Sequence, residues 1–186
     1  MSSNTSTSPH AGLRIRRATL ADATLIATMG AETFVAAFGA QNVPENVAMH
    51  LAKSYGTGIQ ERQLADPKIT YLIAEMDGRN AGYACVCESE PPPCVTGPAP
   101  VEVLRFYVLN EFHGTGIAQA LMNACADDAR ARGGRTLWLG VWDQNPRAIR
   151  FYTKWGFEDV GGQIFVLGED PQQDRVLSHA LASRTG

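Results

Sequence analysis

The stretch Glu111–Met122, EFHGTGIAQALM, joins an apolar run to a helical pattern and decides how the chain can fold. The run before it, VEVLRFYVL at residues 101–109, is typical of a β-strand, and apolar residues recur at helical spacing from Ile117 onward. Gly114 and Gly116 lie at the junction, where the free N–H groups of a first helical turn can bind an anion. Glycines also suit a tight strand-to-helix turn, so they do not by themselves distinguish the two interpretations.

Composition is that of a single globular domain. The chain has 186 residues, of which 45% are hydrophobic and 19% charged, which allows one domain with a substantial core. The net charge of −3 does not favour a nucleic-acid-binding surface. The Ser/Thr-rich segment 1–12 is expected to be a disordered tail, and residues 13–186 to form the domain.

Cysteine spacing and hydropathy bear on metal binding and on the cellular compartment of the protein. The four cysteines form no Cys-x-x-Cys pair and no Cys/His cluster with zinc spacing, so we expect no metal site. Buried thiols in a reducing cytoplasm are the simplest interpretation. The start of the chain lacks the apolar core of a signal peptide, and no apolar run approaches ~20 residues, so no membrane association is expected.

The order of predicted elements defines the fold class. A strand is followed by two or three helices, three strands, a helix, a strand, a helix and two strands. Asp-Gly in the segment 77–80 predicts a hairpin turn, and the proline-rich segment 91–100 predicts a loop. We therefore predict a mixed α/β (α+β) domain with a largely antiparallel central sheet of about seven strands and helices on both faces.

Two general phosphate-binding motifs do not fit the glycine turn. A P-loop needs Lys and Ser/Thr after its second glycine, where this chain has Ile117 and Ala118. The dinucleotide fingerprint needs an early βαβ unit and a third glycine. Residues 113–118, HGTGIA, instead resemble the acyl-CoA pyrophosphate loop of the GNAT family of N-acetyltransferases, although His113 stands where Gln or Arg is usual.

A second segment carries the same resemblance. NPRAIRFYTKWGF, residues 145–157, is similar to the later GNAT motif, in which Asn is followed by Ala, Phe-Tyr and Gly-Phe. The two motifs occur in the family's order, and the resemblance covers most of residues 13–182. It implies a GNAT domain that transfers an acetyl group from acetyl-CoA to an amine by direct attack on the thioester.

The resemblance implies roles for two residues of this second segment. Tyr152 would be the catalytic acid, because a phenol with a pKa near ~10 can protonate a CoA thiolate. The alternative is a core tyrosine with a satisfied hydroxyl. Asn145 would contact the cofactor and could also cap the helix that begins at Pro146.

Glu102 is the candidate catalytic base. It precedes His113 by eleven residues, a spacing found in histone-acetyltransferase-like members of the family. Strand alternation predicts that Glu102, Leu104, Phe106 and Val108 share one face, and partial burial there would raise the pKa of the carboxyl. A solvated glutamate is the alternative. Some ribosomal-protein acetyltransferases of the family instead place a glutamate five residues before the Asn. This chain has Gly140 at that position, so their base is absent.

The resemblance also implies the cofactor contacts. The main chain of Phe106 and Val108 would pair with the pantetheine arm, which requires the neighbouring strand to diverge. A β-bulge is expected near the end of RFYVL. The full set of expected cofactor-binding residues is Phe106, Tyr107, Val108, His113, Gly114, Thr115, Gly116, Ile117, Ala118 and Asn145.

The acceptor is less closely defined by the sequence. AETFVAAFG at residues 31–39 resembles a segment of PaiA-type spermidine acetyltransferases. Glu32, Glu45 and Glu61 could attract a polyamine. For Glu45 and Glu61, a solvated helix face is the simpler interpretation. We expect a primary amine, either a small amine or a polyamine. Alternatives are a non-catalytic acetyl-CoA sensor or scaffold and a protein N-terminal or lysine acetyltransferase, and a homodimer is left open.

Overall fold

The computed structural model describes residues 12–182. Residues 1–11 of the tail predicted at 1–12 lie outside them, as do residues 183–186 of the predicted domain. Gly12 itself forms a turn whose carbonyl accepts a hydrogen bond from the Asp77 N–H at 3.0 Å.

The predicted elements are all present in the predicted order. The strands are β1 (Leu13–Arg17), β2 (Ile69–Met76), β3 (Arg79–Cys87), β4 (Pro100–Val108), β5 (Thr136–Trp142), β6 (Glu158–Leu167) and β7 (Asp170–Ala180). The helices are α1 (Ala23–Phe38), α2 (Pro44–Ser54), α3 (Thr57–Ala65), α4 (Ile117–Ala131) and α5 (Pro146–Trp155).

The seven strands form one sheet in the order β1-β2-β3-β4-β5-β7-β6. Every neighbouring pair is antiparallel except β4 and β5, which are parallel and are connected through α4. The predicted fold class is confirmed.

The two faces of the sheet are covered by different helices. On one face, α4 and α5 bury residues such as Ile117, Leu121 and Tyr152 against β3, β4 and β5. On the other face, α1 buries Ile26 and Met29 against β2 and β3, while α2 packs against α1 and β6. We call these the α4 face and the α1 face.

A bulge in β4 interrupts its pairing with β3. Cys85 pairs with Arg105, and the next residue of β3, Val86, pairs with Val103. Leu104 is therefore the extra residue, and it is 43% exposed. The predicted bulge exists, but it lies just before the segment RFYVL and not near its end.

This bulge changes which residues share a face. The prediction that Glu102 lies on the same face as Leu104, Phe106 and Val108 is wrong, because an extra residue reverses the alternation. Phe106 and Val108 pack on the α4 face, as do both sequence neighbours of Glu102. Glu102 therefore lies on the α1 face, together with Tyr107.

Beyond Glu102, β4 and β5 separate. Their pairing consists of Pro100 with Thr136, Val101 with Leu137 and Glu102 with Trp138. The rest of β4, up to Val108, has no partner on this side within residues 12–182. The predicted divergence of the neighbouring strand is confirmed, and it leaves an opening through the middle of the sheet.

The helix α1 with its flanking turns is unusually apolar. Leu20–Gln41 is long and apolar enough to cross a membrane by length and composition alone, so the expectation that no such stretch exists does not hold. In the structure, Ile26, Met29 and Phe34 of this helix are buried in the core of the domain.

Candidate active site

A cleft of about 1050 Å³ passes through the opening between β4 and β5. On the α4 face it is lined by the glycine turn and by α5. On the α1 face it is lined by α1 and by the ends of β6 and β7. The lining includes Gly114, Gly116, Asn145, Tyr152, Glu102 and Asp174. A molecule entering from one face can therefore meet a molecule entering from the other.

The glycine turn presents free N–H groups to this cleft. Gly114 and Gly116 have φ values of +79° and +86°, which only glycine adopts readily. The Thr115 hydroxyl donates to the Phe112 carbonyl at 2.6 Å and fixes the turn. Because the first helical hydrogen bond joins the Ala120 N–H to the Gly116 carbonyl, the preceding N–H groups of α4 remain available for an anion.

The free edge of β4 faces the same opening. The Leu109 N–H donates to the Ala81 carbonyl of β3, so strand alternation turns the polar groups of Tyr107 toward β3 as well. The main-chain N–H and C=O groups of Phe106 and Val108 then point to the opening. These are the two residues that sequence analysis assigned to the pantetheine arm.

His113 and Tyr107, two of the expected cofactor-binding residues, also contact other parts of the protein. The His113 ring nitrogen Nε2 lies 2.8 Å from the Val108 carbonyl, to which it must donate. It thereby ties the glycine turn to β4 and occupies one of the two Val108 main-chain groups. The Tyr107 ring stacks on Tyr83 with centroids 5.6 Å apart, and Tyr107 also lines the cleft.

Tyr152 lies in an aromatic environment on α5. Its ring packs edge-on against Phe106, Phe151 and Phe157 with centroids 5.4 to 6.1 Å away. Burial raises the pKa of the Tyr152 phenol well above its usual value, with a smaller effect from Cys125. Within residues 12–182, no protein group hydrogen-bonds the hydroxyl. It is a protonated phenol at the cleft, able to donate to a ligand.

Asn145 performs the capping role that the sequence predicts. Its side-chain oxygen accepts from the Ala148 N–H at 3.1 Å and caps α5. Because the oxygen is engaged, the amide NH₂ is the group that this side chain can offer to a ligand in the cleft.

Glu102 lies where β4 and β5 separate. Burial raises the pKa of its carboxyl, and the donors Ser89 and Cys87 oppose this rise. The Ser89 hydroxyl donates to Glu102 Oε2 at 2.5 Å, and the Cys87 thiol lies 3.6 Å from the same oxygen. Glu102 is therefore a half-buried carboxylate with a raised pKa, as a proton acceptor requires.

The α1 end of the cleft is both aromatic and acidic. Phe38, Trp142 and Phe165 line it, and Phe38 packs edge-on against Trp142 with centroids 5.9 Å apart. Glu32 of α1 also lines it. The other two acidic residues considered for a polyamine, Glu45 and Glu61, are exposed and lie outside the cleft lining.

Sequence reasoning missed Asp174 and Ser89. Asp174 lies on β7, where it is 8% exposed and lines the cleft. The alternation of Asp174 with Val176 in the strand pattern was the available indication, because it places a carboxylate on a buried face. Ser89 follows β3 in a loop, and nothing in the sequence pairs it with Glu102. Within residues 12–182, no group of three or more His, Cys, Asp or Glu side chains could hold a metal ion.

Comparison with known proteins agrees with this arrangement. The Acetyltransferase (GNAT) family profile matches residues 35–157. An uncharacterised N-acetyltransferase of Mycobacterium bovis is 34% identical over 162 residues, which cover 87% of this chain and 99% of the relative.

Two solved structures share the fold at low sequence identity. The PaiA N-acetyltransferase of Thermoplasma acidophilum in complex with coenzyme A superposes with a TM-score of 0.73 at 17% identity, covering 90% of this chain and 98% of that one. The yncA protein of Salmonella typhimurium with its cofactor acetyl-CoA superposes with a TM-score of 0.62 at 21% identity, covering 94% and 97%.

The family match spans both motifs that carry the resemblance and the whole region between them. It favours an enzyme over the non-catalytic sensor or scaffold. The chain therefore belongs to the GNAT family and is an N-acetyltransferase, that is, an acetyl-CoA-dependent acyltransferase.

Proposed function

We propose that this chain transfers the acetyl group of acetyl-CoA to a primary amine, either a small amine or a polyamine, by direct attack of the nitrogen on the thioester. The observation that carries the proposal is the opening between β4 and β5, which joins the glycine turn on the α4 face to an acidic and aromatic pocket on the α1 face. The coenzyme A and acetyl-CoA in the two structural neighbours support the choice of donor.

The cofactor would enter from the α4 face. Its diphosphate would accept hydrogen bonds from the free N–H groups between His113 and Ala118, at the positive end of the α4 dipole. Its pantetheine arm would run along the free edge of β4 and pair with Phe106 and Val108, as an added strand does. This path brings the thioester to the opening in the sheet.

The amine would enter from the α1 face and lose a proton before it attacks. Glu102 is suited to accept that proton, because it lies at the opening on the α1 face and its pKa is raised by burial. The nitrogen then forms the new C–N bond, while a main-chain N–H on the free edge of β4 stabilises the developing oxyanion.

Tyr152 would complete the reaction as the acid. When the C–S bond breaks, the departing thiolate takes a proton from the Tyr152 hydroxyl. The nitrogen of the new amide loses its excess proton to solvent, and the phenolate recovers a proton from solvent. Burial keeps the phenol protonated at neutral pH, which is the form that an acid needs.

Thiol release from acetyl-CoA in the presence of candidate acceptors tests this proposal. We expect turnover with putrescine or n-butylamine and none with a lysine-containing peptide, because the α1 end of the cleft is bounded by α1, β6 and β7. Turnover with the peptide and not with the small amines would instead support the protein acetyltransferase. Absence of turnover with every amine would contradict the proposal.

A further inference from the structure

Asp174 carries a buried charge that no residue in the described part of the chain neutralises. The residue is 8% exposed, and the side-chain hydrogen bond it receives, from Gln173 Nε2 at 3.1 Å, goes to its main-chain oxygen. Within residues 12–182, its carboxylate has neither a hydrogen-bond donor nor an ion-pair partner. Since burying an unpaired carboxylate is costly, this arrangement indicates a cationic ligand.

Gly140 lies beside the Asp174 carboxylate in the lining of the cleft. A Cβ atom on Gly140 would lie 3.2 Å from Asp174 Oδ2 and 2.5 Å from Gln163 Nε2. Gly140 is itself exposed and lines the cleft. A larger residue would have to displace the Gln163 amide, so the glycine leaves room for that amide beside the carboxylate.

The surroundings of Asp174 suit a positive charge. Trp142 is its partner in the register of β5 and β7, and Phe38 and Phe165 also line this end of the cleft. Burial and the like charge of Asp143 raise the pKa of Asp174 to about 6, so the carboxylate is ionised at neutral pH. An anion beside aromatic rings is a typical environment for an ammonium group.

Asp174 is too far from Glu102 for both to hold the same nitrogen. Glu102 pairs with Trp138, and Asp174 pairs with Trp142, four residues further along β5. Four residues of strand span about 13 Å. If Glu102 receives the proton of the reacting amine, Asp174 lies further into the pocket, where it can meet a second nitrogen of the acceptor and not the reacting one.

We propose that Asp174 binds a second ammonium group of the acceptor, which is therefore a diamine or a longer polyamine. This inference rests on the proposed function, because it assigns the substrate class of the same cleft. Asp174 acts as a substrate-binding residue: it holds the nitrogen that does not react and so presents the other nitrogen to the thioester.

The test compares putrescine with n-butylamine, which differs from it in lacking the second amine. In the wild-type protein we expect kcat/KM to be at least about tenfold higher for putrescine, as a charged hydrogen bond of ~1.5 kcal/mol gives. Asp174→Asn keeps the shape and removes the charge, and we expect it to abolish this preference. Its coenzyme A affinity should stay within about twofold of wild type. The matched control is Asp159→Asn, an exposed carboxylate of β6 paired with Arg175 at 3.3 Å, which should keep the preference.

Equilibrium binding of putrescine to the protein loaded with coenzyme A separates this inference from the proposed function. Binding that Asp174→Asn weakens, with no acetylation, would support the inference and overturn the proposed function. Acetylation of both amines with equal kcat/KM, or a preference that survives in Asp174→Asn, would overturn the inference alone. Neither binding nor turnover of putrescine would overturn both.

Discussion

Glu102 of β4 and Trp138 of β5 form the last pair that these parallel strands make before they separate. The pair fixes the narrow end of the opening in the sheet. On one side of the opening lie the main-chain groups of Phe106 and the Val108 N–H, while the Val108 carbonyl accepts from His113. On the α1 face the Glu102 carboxylate is held by the Ser89 hydroxyl at 2.5 Å. A proton acceptor and a free strand edge therefore lie together at this opening between the two faces of the sheet.

The acid role of Tyr152 predicts a selective loss of rate in Tyr152→Phe. The substitution keeps the ring that packs against Phe106 and Phe157 and removes only the hydroxyl proton. We expect kcat to fall by about a hundredfold or more, as loss of a general acid does. The Kd for coenzyme A, measured by titration, should change little.

Tyr83→Phe is the matched control for this substitution. The Tyr83 hydroxyl is buried and has no hydrogen-bond partner among the described residues, and Tyr83 lies outside the cleft lining. We expect kcat to be unchanged in this variant. If both variants slowed turnover equally, the acid assignment of Tyr152 would be wrong.

The base role of Glu102 is tested by the pH dependence of kcat/KM. A base acts when ionised, so the wild-type rate should fall as the pH drops through the raised pKa of Glu102. Glu102→Gln should lower the rate and remove this acid limb. Because the Ser89 hydroxyl stabilises the carboxylate, Ser89→Ala should raise the pKa further and shift the limb to higher pH.

Glu88→Gln serves as the comparison for Glu102. Glu88 is an exposed neighbour that contacts Arg132 at 3.6 Å outside the cleft. Its profile should match that of the wild type. An unchanged acid limb in Glu102→Gln would show that another group accepts the proton.

Asp174→Asn should stabilise the fold at neutral pH. The pKa of Asp174 is raised from 3.8 to about 6 in the folded state, so the folded state pays for ionising it. This cost is absent below the unfolded pKa, grows as the pH rises from the unfolded to the folded value, and is complete above the folded value. Ionised Asp174 therefore lowers the free energy of unfolding by at most about 3 kcal/mol, because each step of one in pKa corresponds to ~1.4 kcal/mol.

Urea denaturation at two pH values measures this effect. At pH ~8, Asp174→Asn should have a larger free energy of unfolding than the wild type, and the difference should shrink toward pH ~4. A variant less stable than the wild type at both pH values would mean that the carboxylate has a stabilising partner in the protein.

The cofactor role of the glycine turn can be tested by comparing alanine substitutions at two glycines with similar φ values. Gly114 and Gly133 have φ values of +79° and +83°, and a Cβ atom on either would meet nothing within 4 Å. Alanine at either position should therefore cost a similar ~1–2 kcal/mol in the free energy of unfolding. Only Gly114→Ala should also weaken coenzyme A binding, because Gly133 follows the far end of α4. Equal affinities in the two variants would contradict a cofactor role for the turn.

Local sequence patterns predicted those parts of the fold that depend on neighbouring residues. The turn at Asp77 and Gly78 and the glycine turn before Ile117 are set by dihedral preferences within a few residues. Asn145 was identified as a cap for the same reason. The order of these elements then restricted the topology to a mixed sheet with one parallel pair.

The sequence could not show features that depend on pairing between distant residues. The bulge at Leu104 is a property of the register of β3 with β4, and it moved Glu102 to the α1 face, against the simple alternation. The approach of Asp174 to Gly140 arises between β7 and β5 and joins residues 34 positions apart in the chain. Within residues 12–182, the burial of the Asp174 carboxylate without a hydrogen-bond partner exists only after the strands assemble.

The most direct test of the account is a crystal structure of the protein with coenzyme A bound. We predict that the diphosphate lies on the N–H groups between His113 and Ala118, with the pantetheine arm along Phe106 and Val108. The sulfur should reach the opening beyond Glu102, within hydrogen-bonding distance of the Tyr152 hydroxyl. A cofactor bound elsewhere, or a sulfur on the α4 face away from Tyr152, would contradict it.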